Sequence, residues 1–379
     1  MSHSPSVVRS ESPAAIRRTG PRVSELDGLR GIAILLVLFF HFTPSSGPLF
    51  FFAHVFQTGW IGVDLFFVLS GYLITGILLD SVGRPHYYRN FIVRRCLRIF
   101  PLYYACLALY GFLTFLPSPV RWPEFFGIGG ASWYLFYLGN VKVFLQNAYP
   151  AAAILTPLWS LQVEEQFYLS FPFVVSAVRR KTLATILLAS VAVALLLRIA
   201  LTATLPDNQF GPYVLMPCRM DALAMGGLIA IAQREAPHWL KGRWIGWLTG
   251  ISGATFIWVC VFFTVTPWSG VMRTLGFTAA DLAFACLVVL LIGGRPRFLL
   301  ALCRLRALVW LGTISYGLYL LHIPALMVAR RWVTPLLGIT PDGSAQLFVS
   351  MALAIAAAAL SWWLFESRVL KLKDRFTVR

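Results

Sequence analysis

Apolar runs of about twenty residues recur along the whole of this 379-residue chain, and no loop between apolar blocks is longer than about twenty residues. A run of that length is what an α-helix needs to cross the roughly 30 Å hydrocarbon core of a bilayer. Ten can be drawn, at about 27–45, 59–79, 100–117, 158–178, 182–204, 213–232, 245–266, 273–292, 307–330 and 345–365. Backbone polar groups in hydrocarbon must be bonded within their own segment, so the expected fold is an all-α polytopic integral membrane protein of about ten transmembrane helices. Only 12% of residues are charged and mean hydropathy is +0.74, too little polarity to clothe a water-soluble domain.

The 32 Lys and Arg residues stand against 15 Asp and Glu, a formal charge of +17. Such an excess suits nucleic acid or a membrane surface, and its placement in short gaps between apolar runs favours the membrane and excludes nucleic acid. With ten spans and both termini cytoplasmic, 24 of the 32 cations fall on the inner side and five near the outer side. A further apolar block at 131–145 is short and interrupted by Gly139, Asn140 and Lys142. Counting it as a crossing would carry Arg179, Arg180 and Lys181 outside, so it is read as re-entrant or interfacial. The organisation expected is a polar, disordered cytoplasmic tail at 1–24, a membrane unit at 25–366 and a basic cytoplasmic tail at 367–379. The six cysteines are scattered with no CxxC pair, so neither a disulfide framework nor a metal site is expected. No serine-hydrolase elbow, HExxH helix, Walker loop or GxGxxG is present.

Three arginines remain inside the spans, Arg30, Arg198 and Arg219, with Asp64, Glu164, Glu165, Asp221, Asp281, His41 and His322. Ionisable groups at membrane depth are costly unless paired or wetted, so the set marks a functional site, and mutual neutralisation is the alternative for any one member. In the first span Arg30 and His41 are eleven residues apart, within about 20° of one helical face and roughly 16 Å apart along it. A guanidinium keeps its proton and forks onto phosphates, whereas an imidazole takes a proton at neutral pH. Such a helix can hold a long phosphorylated donor at its inner end and act on a hydroxyl at its outer end. Counted from the span ends, Asp64, Glu164, Glu165, Asp221 and His322 fall at depths that let them meet His41 in one outer-half cavity. After the second span, Arg95 and Arg98 share a helical face with Arg94 beside them, as a phosphate clamp or as an ordinary positive-inside anchor.

The motifs in order are ELDGLRGIAILLVLFFH with its Arg-x10-His pair, GWIGVDLFFVLSGYLITGILL, FIVRRCLRIFPLYY, LWSLQVEEQFYLSFP, CRMDALAMGGLIA, WLGTISYGLYLLHIP and Glu366. From residue 25 to 366 the chain resembles the membrane acyltransferase-3 family, which O-acylates cell-envelope glycans. The resemblance implies a multi-pass protein of the bacterial inner (cytoplasmic) membrane, with acyl-CoA, commonly acetyl-CoA, as cytoplasmic donor and no metal. The acceptor implied is a hydroxyl of an extracytoplasmic glycan or glycolipid; self-association into a homo-oligomer stays open. Arg30, Arg95 and Arg98, flanked by Arg94, are then expected to bind the donor. His41 is expected to act as general base with Glu164 as its partner and Glu165 beside it. Asp64, Arg219, Asp221, Tyr316 and His322 are expected to contact substrate. A covalent acyl-histidine is the rival mechanism, and a transporter or flippase of an envelope precursor is the rival class.

Overall fold

A computed structural model describes residues 24–113, 130–340 and 342–372. The tails expected at 1–24 and 367–379 therefore lie outside the described residues, apart from Ser24 and a last turn of helix at Ser367–Lys371. Among the described residues the chain is helical, without a strand.

The principal helices are α1 (Ser24–His41), α2 (Gly62–Ser81), α3 (Tyr87–Leu113), α4 (Gly130–Leu135), α5 (Gly139–Gln146), α6 (Leu158–Ala177) and α7 (Arg180–Thr204). They are followed by α8 (Met216–Glu235), α9 (Trp244–Phe262), α10 (Phe277–Ile292), α11 (Arg306–Thr313), α12 (Ser315–Val328) and α13 (Ser344–Ser361). Among the described residues six helical segments are long and apolar enough to cross a membrane, and a seventh is added if α11 and α12, bent by 78° at Ile314, count as one broken span. The expected runs outside this set are the first, third and fourth, which are α1, α3 and α6. These are the helices that carry Arg30, the arginine cluster and the glutamate pair, so the charges that mark the site also lower the apolar score of its walls.

The 131–145 block is two short helices, α4 and α5, of six and eight residues. At 1.5 Å per residue neither spans a bilayer. The break between them is pinned from α6, where the Gln166 side-chain amide donates to the Tyr137 carbonyl and to Asn140 Oδ1, both at 2.9 Å.

Packing is closest where glycine removes the side chain between helices. A Cβ on Gly71 of α2 would stand 2.0 Å from the Leu223 carbonyl oxygen of α8, and one on Gly226 would stand 2.1 Å from that of Val68. The two backbones can therefore touch, which is how helices associate where lipid supplies no hydrophobic drive. The apolar stretches containing α2 and α8 are 67% and 72% buried, whereas that of α9 is 17% buried, so α2 and α8 form the centre and α9 faces lipid. All six cysteines are free.

Candidate active site

A cavity opens between α1, α2, α3, α6 and α12. Arg30 enters it from α1, Arg95 and Arg98 from α3, Ser70 from α2, Glu164 and Tyr168 from α6, and Tyr316 and Tyr319 from α12. Arg95 and Arg98 reach it together because a spacing of three keeps them on one face. Arg94, on the adjacent face, is exposed and does not line the cavity. The Arg95 guanidinium lies 5.7 Å from the ring centroids of Phe91 and Tyr168, which hold it by cation–π attraction. Glu164 accepts from Ser70 at 2.7 Å and from Tyr168 at 3.2 Å, and feels the charges of Arg30 and Arg98. Glu165 is buried behind it and does not line the cavity. Apolar side chains make up much of the rest of the wall, including Val63, Phe66, Leu73, Ile74 and Leu161. At the far end the Tyr319 hydroxyl shares a 2.6 Å hydrogen bond with Ser160 and donates to the Pro157 carbonyl at 2.9 Å.

His41 and His322 stand beyond Tyr319 and do not line the cavity. Their ring centroids are 4.7 Å apart, and the Tyr319 ring lies 5.8 Å from that of His322. His41 is half-buried and His322 fully buried. Pro324, lacking an N–H, leaves the Leu320 carbonyl of α12 free, and Tyr110 of α3 reaches it at 3.5 Å.

The expected contact between His41 and Glu164 is not the one the structure makes. The reason is depth. The hydrogen bonds to Pro157 and Ser160 set the start of α6 level with Tyr319, inside the bundle, because the turn Ala153–Leu155 before it is itself packed in the core. From that level His322 is three residues toward the His41 end, and Glu164 is four residues the other way. At 1.5 Å per residue they are about 10 Å apart along the bundle, so Glu164 joins the arginines.

Asp64, Arg219 and Asp221 present no exposed surface to a substrate. Asp64 of α2 pairs with Arg219 of α8, and Asp221 pairs with Arg198 of α7 at 2.7 Å. Arg198 also donates to Thr278 at 2.7 Å, and the Arg219 guanidinium sits 4.3 Å from the centre of the Phe277 ring. Asp281 of α10 is buried beside them. Each of the two ion pairs neutralises its own members, and with Thr278 and Phe277 of α10 they tie four helices together at membrane depth.

Residues 23–366 match the family model described as "Acyltransferase domain". The chain belongs to this acyltransferase family. It is 32% identical over 334 residues to the putative peptidoglycan O-acetyltransferase YrhL of Bacillus subtilis, covering 80% of this chain and 48% of that protein. It is 28% identical over 367 residues to the peptidoglycan O-acetyltransferase OatA of Listeria monocytogenes (92% and 56%), and 30% identical over 332 residues to the O-acetyltransferase OatA of Staphylococcus aureus (81% and 51%). This chain thus spans about half the length of the curated relatives it matches. No solved structure matches.

The motif resemblance read from the sequence therefore holds over nearly the whole acyltransferase match. Sequence reasoning missed Ser70, Tyr168 and Tyr319 as members of the site. Tyr168 and Tyr319 carried a usable signal, since each lies one helical turn from a residue already singled out, Glu164 and His322. Ser70 carried none, because a serine on an apolar span bonds its own backbone as readily as a carboxylate.

Proposed function

We propose that this acyltransferase moves an acyl group, in the simplest case acetyl, from cytoplasmic acyl-CoA to a hydroxyl of an extracytoplasmic glycan or glycolipid. In this reading it is a multi-pass protein of the bacterial inner membrane. The crossings number ten once α1, α3 and α6 join the apolar spans, and both termini are cytoplasmic, as the concentration of cations in alternate loops supports. One observation carries the proposal: three guanidiniums from two helices enter one apolar-walled cavity that Tyr319 also lines, its ring 5.8 Å from that of His322. Arginine forks suit the phosphates of CoA, and the apolar wall suits its thin pantetheine arm. Glu164, held by Ser70 and Tyr168, fixes the guanidiniums around the donor.

A sugar hydroxyl attacks a thioester poorly until a base begins to take its proton. His41 lies on the α1 face that carries Arg30, with its Nδ1 2.9 Å from the Val37 carbonyl. A carbonyl only accepts, so Nδ1 carries the proton and Nε2 carries the free lone pair of a base. The hydroxyl proton passes to Nε2 as oxygen attacks the thioester carbon, and it leaves on the CoA sulfur when the C–S bond breaks. The O-acetyltransferase names of the relatives support acetyl as the group and peptidoglycan as one acceptor class. Incubating the purified protein with radiolabelled acetyl-CoA and peptidoglycan fragments tests the reading. Label on the glycan with release of CoA is the expected result. Translocation of an envelope precursor without donor turnover would replace this reading with a flippase.

A further inference from the structure

No carboxylate hydrogen-bonds or ion-pairs with His41 among the described residues; what meets its ring is a second imidazole. His322 arrives from α12, 281 positions along the chain, and stands edge-to-face against His41 with centroids 4.7 Å apart and planes at 64°. Its Nδ1 is 2.7 Å from the Tyr319 carbonyl, so Nδ1 donates there and Nε2 is left with a lone pair. That Nε2 is fully buried and has no hydrogen-bond partner among the described residues. Around the pair stand the rings of Phe40, Phe42 and Tyr319, and no charged side chain bonds to either imidazole among the described residues.

We infer that His322 is the positioning residue of the base: it holds the His41 ring with Nε2 toward the acceptor and stabilises the imidazolium that forms there. This rests on His41 being the base. When His41 takes the hydroxyl proton, the new charge appears among aromatic rings, with no charged side chain bonded to it among the described residues. A neutral imidazole in contact offers a polarisable ring and a lone pair to that charge. Two imidazoles in contact also resist a second proton, because like charges would then touch, so the pair holds one proton at a time. The proton returns from His41 to the CoA sulfur, and His322 neither gains nor loses one over the cycle.

The experiment is CoA release from acetyl-CoA with peptidoglycan fragments by the full chain in detergent, for His322→Phe, His322→Asn and His41→Ala over a range of pH. His322→Phe keeps an aromatic ring against His41 and Tyr319 but loses both nitrogens. It is expected to leave the donor KM unchanged, to lower kcat on the order of tenfold or more, and to move the limb of the pH profile that reports the base. His322→Asn, which returns a polar atom, is expected to regain part of that rate. Folded His322→Phe with wild-type kcat and pH profile overturns the inference. So does loss of fold and donor binding together in both His322 variants, which makes the residue a packing element. Wild-type turnover by His41→Ala would instead remove the base assignment on which the inference stands.

Discussion

Ser160 and Tyr319 share a 2.6 Å hydrogen bond between α6 and α12, and both line the arginine cavity, one turn of α12 before His322. Tyr319 also donates to the Pro157 carbonyl at 2.9 Å. Removing the hydroxyl in Tyr319→Phe takes one hydrogen bond from the Pro157 carbonyl and one from Ser160, which still donates to that carbonyl at 3.3 Å. The expected cost is about 0.5–1.5 kcal/mol, read as a lower thermal midpoint in detergent. Loss of the latch is also expected to raise acceptor-independent hydrolysis of acetyl-CoA. An unchanged midpoint and unchanged hydrolysis would show that the contact neither supports α6 nor closes the cavity.

Donor binding separates the cavity arginines from their exposed neighbour. Arg30→Ala, Arg95→Ala and Arg98→Ala are each expected to weaken acetyl-CoA binding by about tenfold or more, the loss of a charge-assisted hydrogen bond. Arg94→Ala is expected to bind within about twofold of wild type, because its surface charge is screened by salt. Equal losses at all four positions in a titration would mean that general positive charge, rather than the cavity, attracts the donor.

Asp64 and Arg219 are both fully buried, so breaking their pair leaves one uncompensated charge in the membrane interior. Asp64→Asn is expected to cost about 3–5 kcal/mol, whereas Asp64→Leu combined with Arg219→Met restores most of the stability. Thermal unfolding of the single and double variants measures the difference. A double variant as unstable as the single one would rule out mutual neutralisation.

The α2–α8 contact predicts a different sensitivity. Gly226→Ala places a methyl group 2.1 Å from the Val68 carbonyl oxygen, so the helices must part. Overpacking of this kind costs about 1–3 kcal/mol, and parting α2 from α8 also separates Asp64 from Arg219. Gly250→Ala on lipid-facing α9, where an added methyl meets nothing within 4 Å, is the comparison and is expected to be neutral or slightly stabilising. Equal thermal midpoints for the two variants would contradict the close approach.

Reporter fusions at the two ends test the topology. Both are expected to report from the cytoplasm, given 24 cations on that side of the ten-crossing arrangement against five on the other. A periplasmic signal at either end would reverse the inner and outer assignment of the cavity.

The sequence by itself determined the helical membrane class, the acyltransferase resemblance and the face shared by Arg95 and Arg98, because each depends on spacing within one segment. The choice between the two fates of a buried charge was open to it only as alternatives: Asp64 and Asp221 turned out to be neutralised by Arg219 and Arg198, while Arg30 kept an open cavity. Tertiary structure alone decided depth and neighbours. Counting from span ends placed Glu164 level with His41, on the premise that α6 begins at the membrane edge. In the folded chain the turn before it is buried and Tyr319 holds the first turn of α6 within the bundle, so Glu164 falls among the arginines and His322 takes the place beside His41. A helix fixes the angle and rise between its own side chains, but its height and rotation relative to another helix come from contacts between the two, which no single segment encodes.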